Sequence, residues 1–225
     1  MSEVIYLSNV RLSFPHIATP QITKKDDGTE KASYNAEFIM APNDPGFAKF
    51  WQVVNAMAVE KWKEHAQAVL QMVQTDRKKR CYGNGAEKIN NKTMKVYEGY
   101  DGGVFITAGR DRMPQIIDAA GTPIDAANVM ACQAEARKMY GGCYVNAAVK
   151  PWLQDNKFGK GVRCDFIAIQ FARDGEPFGE GAIDVSGMFG AAAAAPAAAA
   201  PWAPQPAMPA PPFAQPAAPA TPSWM

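Results

Sequence analysis

The sequence predicts a mainly β (α+β) fold, an antiparallel β-barrel with an inserted amphipathic helix and a disordered C-terminal tail. Several runs alternate apolar and polar residues with the period of two typical of half-buried strands, and turn residues separate them. One long run has apolar residues three and four apart, which indicates a helix. Residues 190–225 carry no charge and are mostly Ala and Pro, which indicates disorder.

The N-terminal elements form a predicted hairpin. The first strand runs from Val4 to Phe14 and ends at Pro15, because proline cannot donate to a sheet ladder. A polar loop follows over residues 18–31, and Ala32–Met40 alternates as the second strand. Both strands therefore belong to one hairpin with a long loop.

The helix begins at a capping signal. Asn43-Asp44-Pro45 combines a capping side chain with proline in the first turn. The apolar stripe then continues to about Gln74, as one helix or as two joined helices.

The later elements are mostly strands. Gly103–Ala108 is predicted as the third strand, residues 116–118 as a short extension, and residues 125–137 as helical or irregular. Cys143–Trp152 and Val162–Phe171 then form a second hairpin around a polar turn. An OB-fold is the commonest small barrel with aromatic and basic residues on its face, although composition alone does not select it.

The second hairpin has one face suited to a core and one suited to a ligand. Cys143, Val145, Ala147 and Val149 share the apolar face. The other face and the hairpin tip carry rings and cations, on which bases could stack and phosphates could bind. These candidates are Tyr144, Lys150, Trp152, Lys157, Phe158, Lys160 and Arg163. The alternative is an ordinary half-buried hairpin with solvated lysines.

A second basic region spans residues 77–95, where seven cations face one Glu87 among glycines and asparagines. It is either a phosphate-binding arm or a solvated loop whose cations pair with acids elsewhere. The remaining candidates for nucleic-acid binding lie here and in the predicted strands and turns: Arg11, Lys31, Tyr34, Lys88, Lys92, Lys95, Arg110 and Arg112.

Composition argues against several classes of protein. The net charge is +1, and four dispersed cysteines with two histidines argue against a zinc site, so no metal or cofactor is expected. The N-terminus lacks a secretion signal and no stretch suits a bilayer span, so we expect a soluble protein of a reducing cytoplasm.

Five segments in this order carry a family resemblance: VRLSFPHI, KASYNAEFIMAP, FITAGRDRMPQIID, YGGCYVNA and FARDGEPFG. Together they resemble a family of phage single-stranded DNA-binding proteins, over most of residues 4–182. The resemblance implies an OB-fold that binds single-stranded DNA without sequence preference in replication or recombination. It also implies no catalysis and a location in the host-cell cytoplasm.

The expected organisation is a DNA-binding domain over residues 1–179 and a tail over residues 180–225. Single-stranded DNA-binding proteins often end in an acidic tail that recruits partners, whereas here the acidic-hydrophobic segment EGAIDVSGMF lies inward of an uncharged end. Replication or recombination proteins are the partners that such a tail would recruit. The oligomeric state stays open, with a dimer among the alternatives.

Two other functions stay open at this point. An adaptor or structural protein would act through the Ala/Pro-rich tail. A metal-dependent nuclease would need clustered carboxylates, whereas the Asp residues here are scattered through turns.

Overall fold

The computed structural model describes residues 3–24 and 28–179, whose strands form a single seven-stranded sheet. The strands are β1 Ile5–Lys24, β2 Glu30–Met40, β3 Tyr82–Asn84, β4 Val104–Arg110, β5 Gln115–Ile117, β6 Tyr144–Asn156 and β7 Gly159–Arg173. Their order in the sheet is β3-β4-β2-β1-β6-β7-β5, and every pair is antiparallel except β5–β7. The helices are α1 Pro45–Trp62, α2 Ala66–Thr75 and α3 Val129–Ala136.

The core lies between the inner face of the curled sheet and the helices. Phe38 on β2 and Phe166 on β7 are fully buried, and their ring centroids lie 5.4 Å apart. Phe50 and Val54 of α1 and Val73 of α2 belong to the same buried cluster. One apolar core therefore joins the sheet to the helices.

The sheet is curled but its strand pairing leaves it open. Lys79 and Cys81, just before β3, partly bridge the gap: the Lys79 carbonyl accepts from Val162 N of β7 (2.8 Å), and the Cys81 carbonyl accepts from Thr107 N of β4 (2.6 Å). The predicted mainly β, OB-fold-like class with an inserted helix is confirmed.

The helical insertion consists of α1 and α2, and it begins at the predicted capping residues and ends close to the predicted Gln74. Asp44 caps α1, since its Oδ1 accepts from Gly46 N at 2.8 Å, and Pro45 is the first helical residue. A 3₁₀ turn over Lys63–His65 joins α1 to α2. The alternative of two joined helices is therefore the correct one.

The predicted end of the first strand at Pro15 is wrong, and the predicted loop over residues 18–31 is too long. β1 continues to Lys24 and pairs with β2 as far as Glu30. The register shifts between Ser13 and His16, and again before Gln21. Such bulges let a strand include proline, because the residue that lacks a donor N–H does not have to join the ladder.

The four cysteines are free and buried. Burial raises the pKa of the Cys143 thiol to about 11. Among the described residues, no helix is long and apolar enough to cross a membrane.

Candidate nucleic-acid interface

The side chains of β1, β6 and β7 that point away from the core form one surface, which we call the β6 face. We define it by Tyr6, Tyr144, Lys150, Trp152, Arg163 and Arg173. The alternation of β6 is as predicted: Val145, Ala147 and Val149 are buried, whereas Tyr144, Lys150 and Trp152 are at least partly exposed. From Tyr144 to Trp152 the face extends about 27 Å at the usual rise of a strand.

Strand pairing brings side chains from distant parts of the chain together on this face. Trp152 lies opposite Arg163, and Lys150 lies opposite Asp165. Tyr6 of β1 lies opposite Ala148, where the small side chain leaves the tyrosine ring 62% exposed. Rings and cations thus alternate along one surface.

The two β6 rings at the ends of the face have defined orientations. Trp152, 39% exposed, donates from Nε1 to Asp165 Oδ1 at 2.9 Å. The Arg173 guanidinium lies 3.4 Å from the Tyr144 ring centroid, and its Nε donates to Asn9 Oδ1 at 3.1 Å. A nucleobase can stack on an indole ring, and it can also stack on a guanidinium that lies against another ring.

The hairpin tip extends the face with further cations. Asn156 pairs with Gly159, so Lys157 and Phe158 form a two-residue turn, and Gly159 has a φ of +102° that favours glycine. Phe158 is 75% exposed, and Lys157 Nζ lies 5.2 Å from its ring centroid. Lys160 Nζ lies 5.7 Å from the ring of Trp62.

Arg11 and Lys88, both candidate cations, each contact another segment of the chain. Arg11 Nη2 donates to the carbonyl of Glu176 (2.9 Å), and the guanidinium lies 4.3 Å from the Phe178 ring centroid. Lys88 forms an ion pair with Glu37, whose other oxygen accepts from the hydroxyl of Tyr100. These two cations hold segments of the chain onto the sheet.

The remaining candidates lie apart from the β6 face. Lys92 and Lys95 are exposed on the loop that precedes β4, Lys31 is exposed where β2 pairs with the distal part of β1, and Arg112 is exposed after β4. Tyr34 and Arg110 lie opposite each other on β2 and β4, and line a cleft of about 390 Å³ beside α3.

Two residues of the β6 face are absent from the sequence-based candidates, namely Tyr6 and Arg173. Tyr6 alternates with buried Ile5 and Leu7, which is a strand signal, but its place beside β6 depends on a pairing more than a hundred residues away. Arg173 follows the last predicted apolar residue of β7, where the alternation alone does not reveal the Tyr144 ring beneath it.

The described residues contain no group of three or more His, Cys, Asp or Glu side chains that could hold a metal ion. The charges on the β6 face are instead mainly positive, with Lys150, Arg163 and Arg173 against Asp165. Such a surface favours a polyanion with exposed rings.

Comparison with protein families gives one family model, described as "Enterobacter phage Enc34, ssDNA-binding protein", which matches residues 3–197. A curated relative, protein p50 of Acyrthosiphon pisum secondary endosymbiont phage 1, is 28% identical over 181 residues. That match covers 80% of this chain and 88% of the relative.

Solved structures give the same fold. The bacteriophage Enc34 single-stranded DNA-binding protein in complex with ssDNA has a TM-score of 0.57 at 22% identity, covering 78% of this chain and 89% of the other. A second structure of that phage protein has a TM-score of 0.54 at 23% identity, covering 81% and 88%.

Proposed function

This chain belongs to the family of the Enterobacter phage Enc34 single-stranded DNA-binding protein, and from that premise we propose that it binds single-stranded DNA without sequence preference. The observation that carries the proposal is the β6 face, where exposed rings alternate with cations along about 27 Å of strand. Single-strand binders commonly combine these two features in a site of about 4–16 nucleotides per OB-fold.

In the proposed mechanism, unpaired bases stack on Tyr6, Trp152 and the Tyr144–Arg173 pair. Each base–ring stack contributes about 1–3 kcal/mol to binding, and any base can take part because every base has a π-face. Lys150, Arg163 and the tip lysines Lys157 and Lys160 neutralise phosphates, which releases counterions. Neither contribution reads a base edge, so binding is independent of sequence.

We further propose that the protein acts in phage DNA replication or recombination in the host-cell cytoplasm, as a non-enzymatic binder. Stacking and phosphate neutralisation both hold a strand without breaking a bond, so the proposed function requires no catalytic group. The family membership supports this reading over the adaptor and nuclease alternatives.

Residues 1–179 are the proposed DNA-binding domain, and residues 180–225, which lie outside the described residues, are the proposed tail. We propose that the tail recruits replication or recombination proteins through its acidic-hydrophobic segment. Because residues 190–225 carry no charge, ending the chain at Phe189 should change DNA affinity by less than about threefold. Ending it at Gly179 should abolish the capture of partners from host lysate; recovery of the same partners with this shortest chain would contradict recruitment by the tail.

The proposed function is tested by titrating the full chain with single-stranded and duplex DNA of equal length at two salt concentrations, following tryptophan fluorescence. We expect tighter binding to the single strand, and a log affinity that falls with log salt by about 0.7 per neutralised phosphate. Equal affinity for the duplex would contradict base stacking, and an affinity independent of salt would contradict phosphate neutralisation.

A further inference from the structure

Phe14 lies at a bulge of β1 in a backbone conformation that is unusual for its residue type. Ser13 pairs with Glu37 and His16 pairs with Asn35, so two residues of β1 stand opposite one residue of β2. Phe14 has a φ of +44°, in the left-handed region that a bulky residue rarely adopts. The bulge turns the ring out of the core, and Phe14 is 43% exposed while Leu12 and Ile17 are buried. Bulges often re-aim a side chain in this way beside a functional site.

The exposed ring of Phe14 lines a cleft of about 580 Å³. Pro15, Tyr97 and Phe178 supply further apolar walls, and Asn90 and Lys95 supply polar groups. The rings of Phe14 and Tyr97 are nearly perpendicular (88°) with centroids 5.2 Å apart, so they form a corner. This volume lies within the range of about 300–1,000 Å³ that is usual for small-ligand sites.

The chemistry of the cleft suits a nucleobase. A planar ring can stack on one aromatic wall while the perpendicular wall contacts its edge. Asn90 Oδ1 already accepts from Lys92 N at 2.8 Å, and the NH₂ group of Asn90 can donate to a base edge. The exposed ammonium of Lys95 offers a charge to the adjoining phosphate. Glu98, the carboxylate of the cleft, already accepts a hydrogen bond from Gly179 N at 2.9 Å.

The cleft also continues the β6 face along β1. Tyr6 lies on that face, Arg11 pairs with Tyr144 at its end, and Phe14 follows three residues later. Between them, the Arg11 guanidinium lies 4.3 Å from the Phe178 ring centroid and so supports one wall of the cleft. A single DNA strand that leaves the β6 face beside Tyr144 therefore reaches the cleft without crossing the sheet.

We propose that this cleft binds one unpaired nucleobase of the same DNA strand that crosses the β6 face. Phe14 is the stacking residue, Lys95 contacts the adjoining phosphate, and Arg11 positions the Phe178 wall. The inference rests on the proposed function and adds to it a base-binding subsite on the far side of Arg11.

The first test is a matched pair of substitutions in the full chain, Phe14→Leu and Phe14→Trp. Both keep a non-glycine residue at the same φ, so the backbone conformation costs both a similar amount, but only tryptophan can stack. With oligothymidylate long enough to fill the site, we expect Phe14→Leu to lower affinity about tenfold and Phe14→Trp to stay close to the wild type. Thermal unfolding of both variants shows whether the fold is retained.

The second test uses the unaltered protein, so it does not depend on how a variant folds. An oligonucleotide that carries 5-iodouracil is photocrosslinked to the full chain, and the modified peptides are identified by mass spectrometry. We expect crosslinks in the peptide that contains Phe14 or in the one that contains Tyr97, in addition to the peptide with Tyr144 and Trp152. Crosslinks restricted to the Tyr144–Trp152 peptide, with unchanged affinity of Phe14→Leu, would overturn the cleft and leave the proposed function standing.

Two other outcomes would also contradict the binding of a nucleobase in the cleft. A wild-type protein that fails to bind single-stranded DNA would overturn the proposed function and the cleft together. A cleft that instead accepts a peptide of a partner protein would leave DNA affinity unchanged in Phe14→Leu and yield no crosslink at Phe14 or Tyr97, which overturns the nucleobase assignment.

Discussion

Asp165 is the residue on the β6 face whose charge opposes the proposed ligand. Its Oδ1 accepts from Trp152 Nε1 at 2.9 Å, and it lies opposite Lys150 in the sheet. The carboxylate therefore orients the Trp152 ring, which we propose stacks on a base, and places a negative charge beside Lys150, which we propose contacts a phosphate. Orientation requires only an acceptor oxygen, whereas repulsion requires the charge.

Asp165→Asn separates these two effects, because the amide oxygen can still accept from the indole. We expect the substitution to strengthen single-strand binding about threefold at low salt, and this gain to shrink as added salt screens the charge. Asp165→Ala is the matched control, since it removes both the charge and the acceptor and should gain less. Weaker binding by Asp165→Asn, measured by fluorescence titration, would show that a phosphate does not pass near this residue.

At the scale of single residues, the sequence was most informative where the relevant contacts are local. The alternation of β6 predicts which of its side chains share a face, and the structure has that arrangement, although the strands continue to a tighter turn than the sequence indicates. Tyr6 could not be assigned to the same face, because its neighbour Ala148 is set by long-range pairing. The roles of Arg11 and Lys88 depend in the same way on distant partners, Phe178 and Glu37.

At the scale of elements, the segment over residues 77–95 contains cations of both expected kinds: some pair with acids of the protein, and others are exposed to solvent. Arg77 and Arg80 contact the carboxylate of Glu87 within the segment, so these two ion pairs hold the segment together. Lys88 pairs with Glu37 of β2, and this ion pair fastens the segment to the sheet. Lys92 and Lys95 lie exposed farther along the same segment. Among the basic residues of this segment, some form internal ion pairs and others face the solvent. The amino-acid composition alone does not predict which residue does which.

This division predicts different phenotypes within one loop. Lys88→Gln should lower the free energy of unfolding by roughly 1–3 kcal/mol, because it leaves the largely buried Glu37 without its charged partner. Lys92→Gln with Lys95→Gln should leave stability unchanged and reduce the salt slope of single-strand binding by about 0.7 per phosphate lost. Urea unfolding and salt-dependent titration measure the two effects. A Lys88 variant with wild-type stability and a reduced salt slope would reverse the assignment.

The element that the sequence misjudged most is β1. Proline at position 15 ends a regular strand, and the rule failed here because the bulge between Ser13 and His16 removes the need for a donor. The hairpin register that makes this possible is a property of the β1–β2 pair and has no local sequence signal. The same bulge produces the exposed position of Phe14.

At the scale of the whole molecule, the core buries ionisable side chains that are neutral at pH 7. Burial raises the pKa of Tyr82 to about 12, and burial together with the nearby charge of Glu37 raises the pKa of Tyr100 still further. Burial also raises the pKa of Cys143 to about 11 from an ordinary value of 9.0. Below about pH 8 these groups are protonated in the folded and the unfolded chain alike, so they add no pH dependence there.

We therefore expect the free energy of unfolding to fall as pH rises from about 8 towards 12, because the unfolded chain ionises first, its thiols before its tyrosines. Tyrosinate absorbance and chemical unfolding, followed at several pH values, measure this directly. Tyr82→Phe should weaken the pH dependence above pH 10. It should cost little or no stability at pH 7, since the buried Tyr82 hydroxyl has no hydrogen-bond partner in the described structure. Stability that is constant up to pH 12 would contradict the burial of these groups.

The fold class was predictable because each strand and the helical insertion carry their own periodicity. The strand order and the incomplete closure of the sheet beside β3 could not be predicted. They depend on contacts that join distant segments, such as the hydrogen bond from Val162 N to the Lys79 carbonyl. The family resemblance covered what periodicity could not supply, and the family model matches residues 3–197.

Stacking on the β6 face predicts that the double variant Tyr6→Leu/Trp152→Leu loses affinity for oligothymidylate. The controls are Val59→Ala and Met72→Ala, which alter exposed apolar residues of α1 and α2. Leucine keeps apolar bulk but cannot stack, so we expect a loss of about thirtyfold or more, with unchanged thermal unfolding and wild-type affinity in both controls. A double variant that folds normally and binds as tightly as the wild type would show that the DNA does not stack on the β6 face.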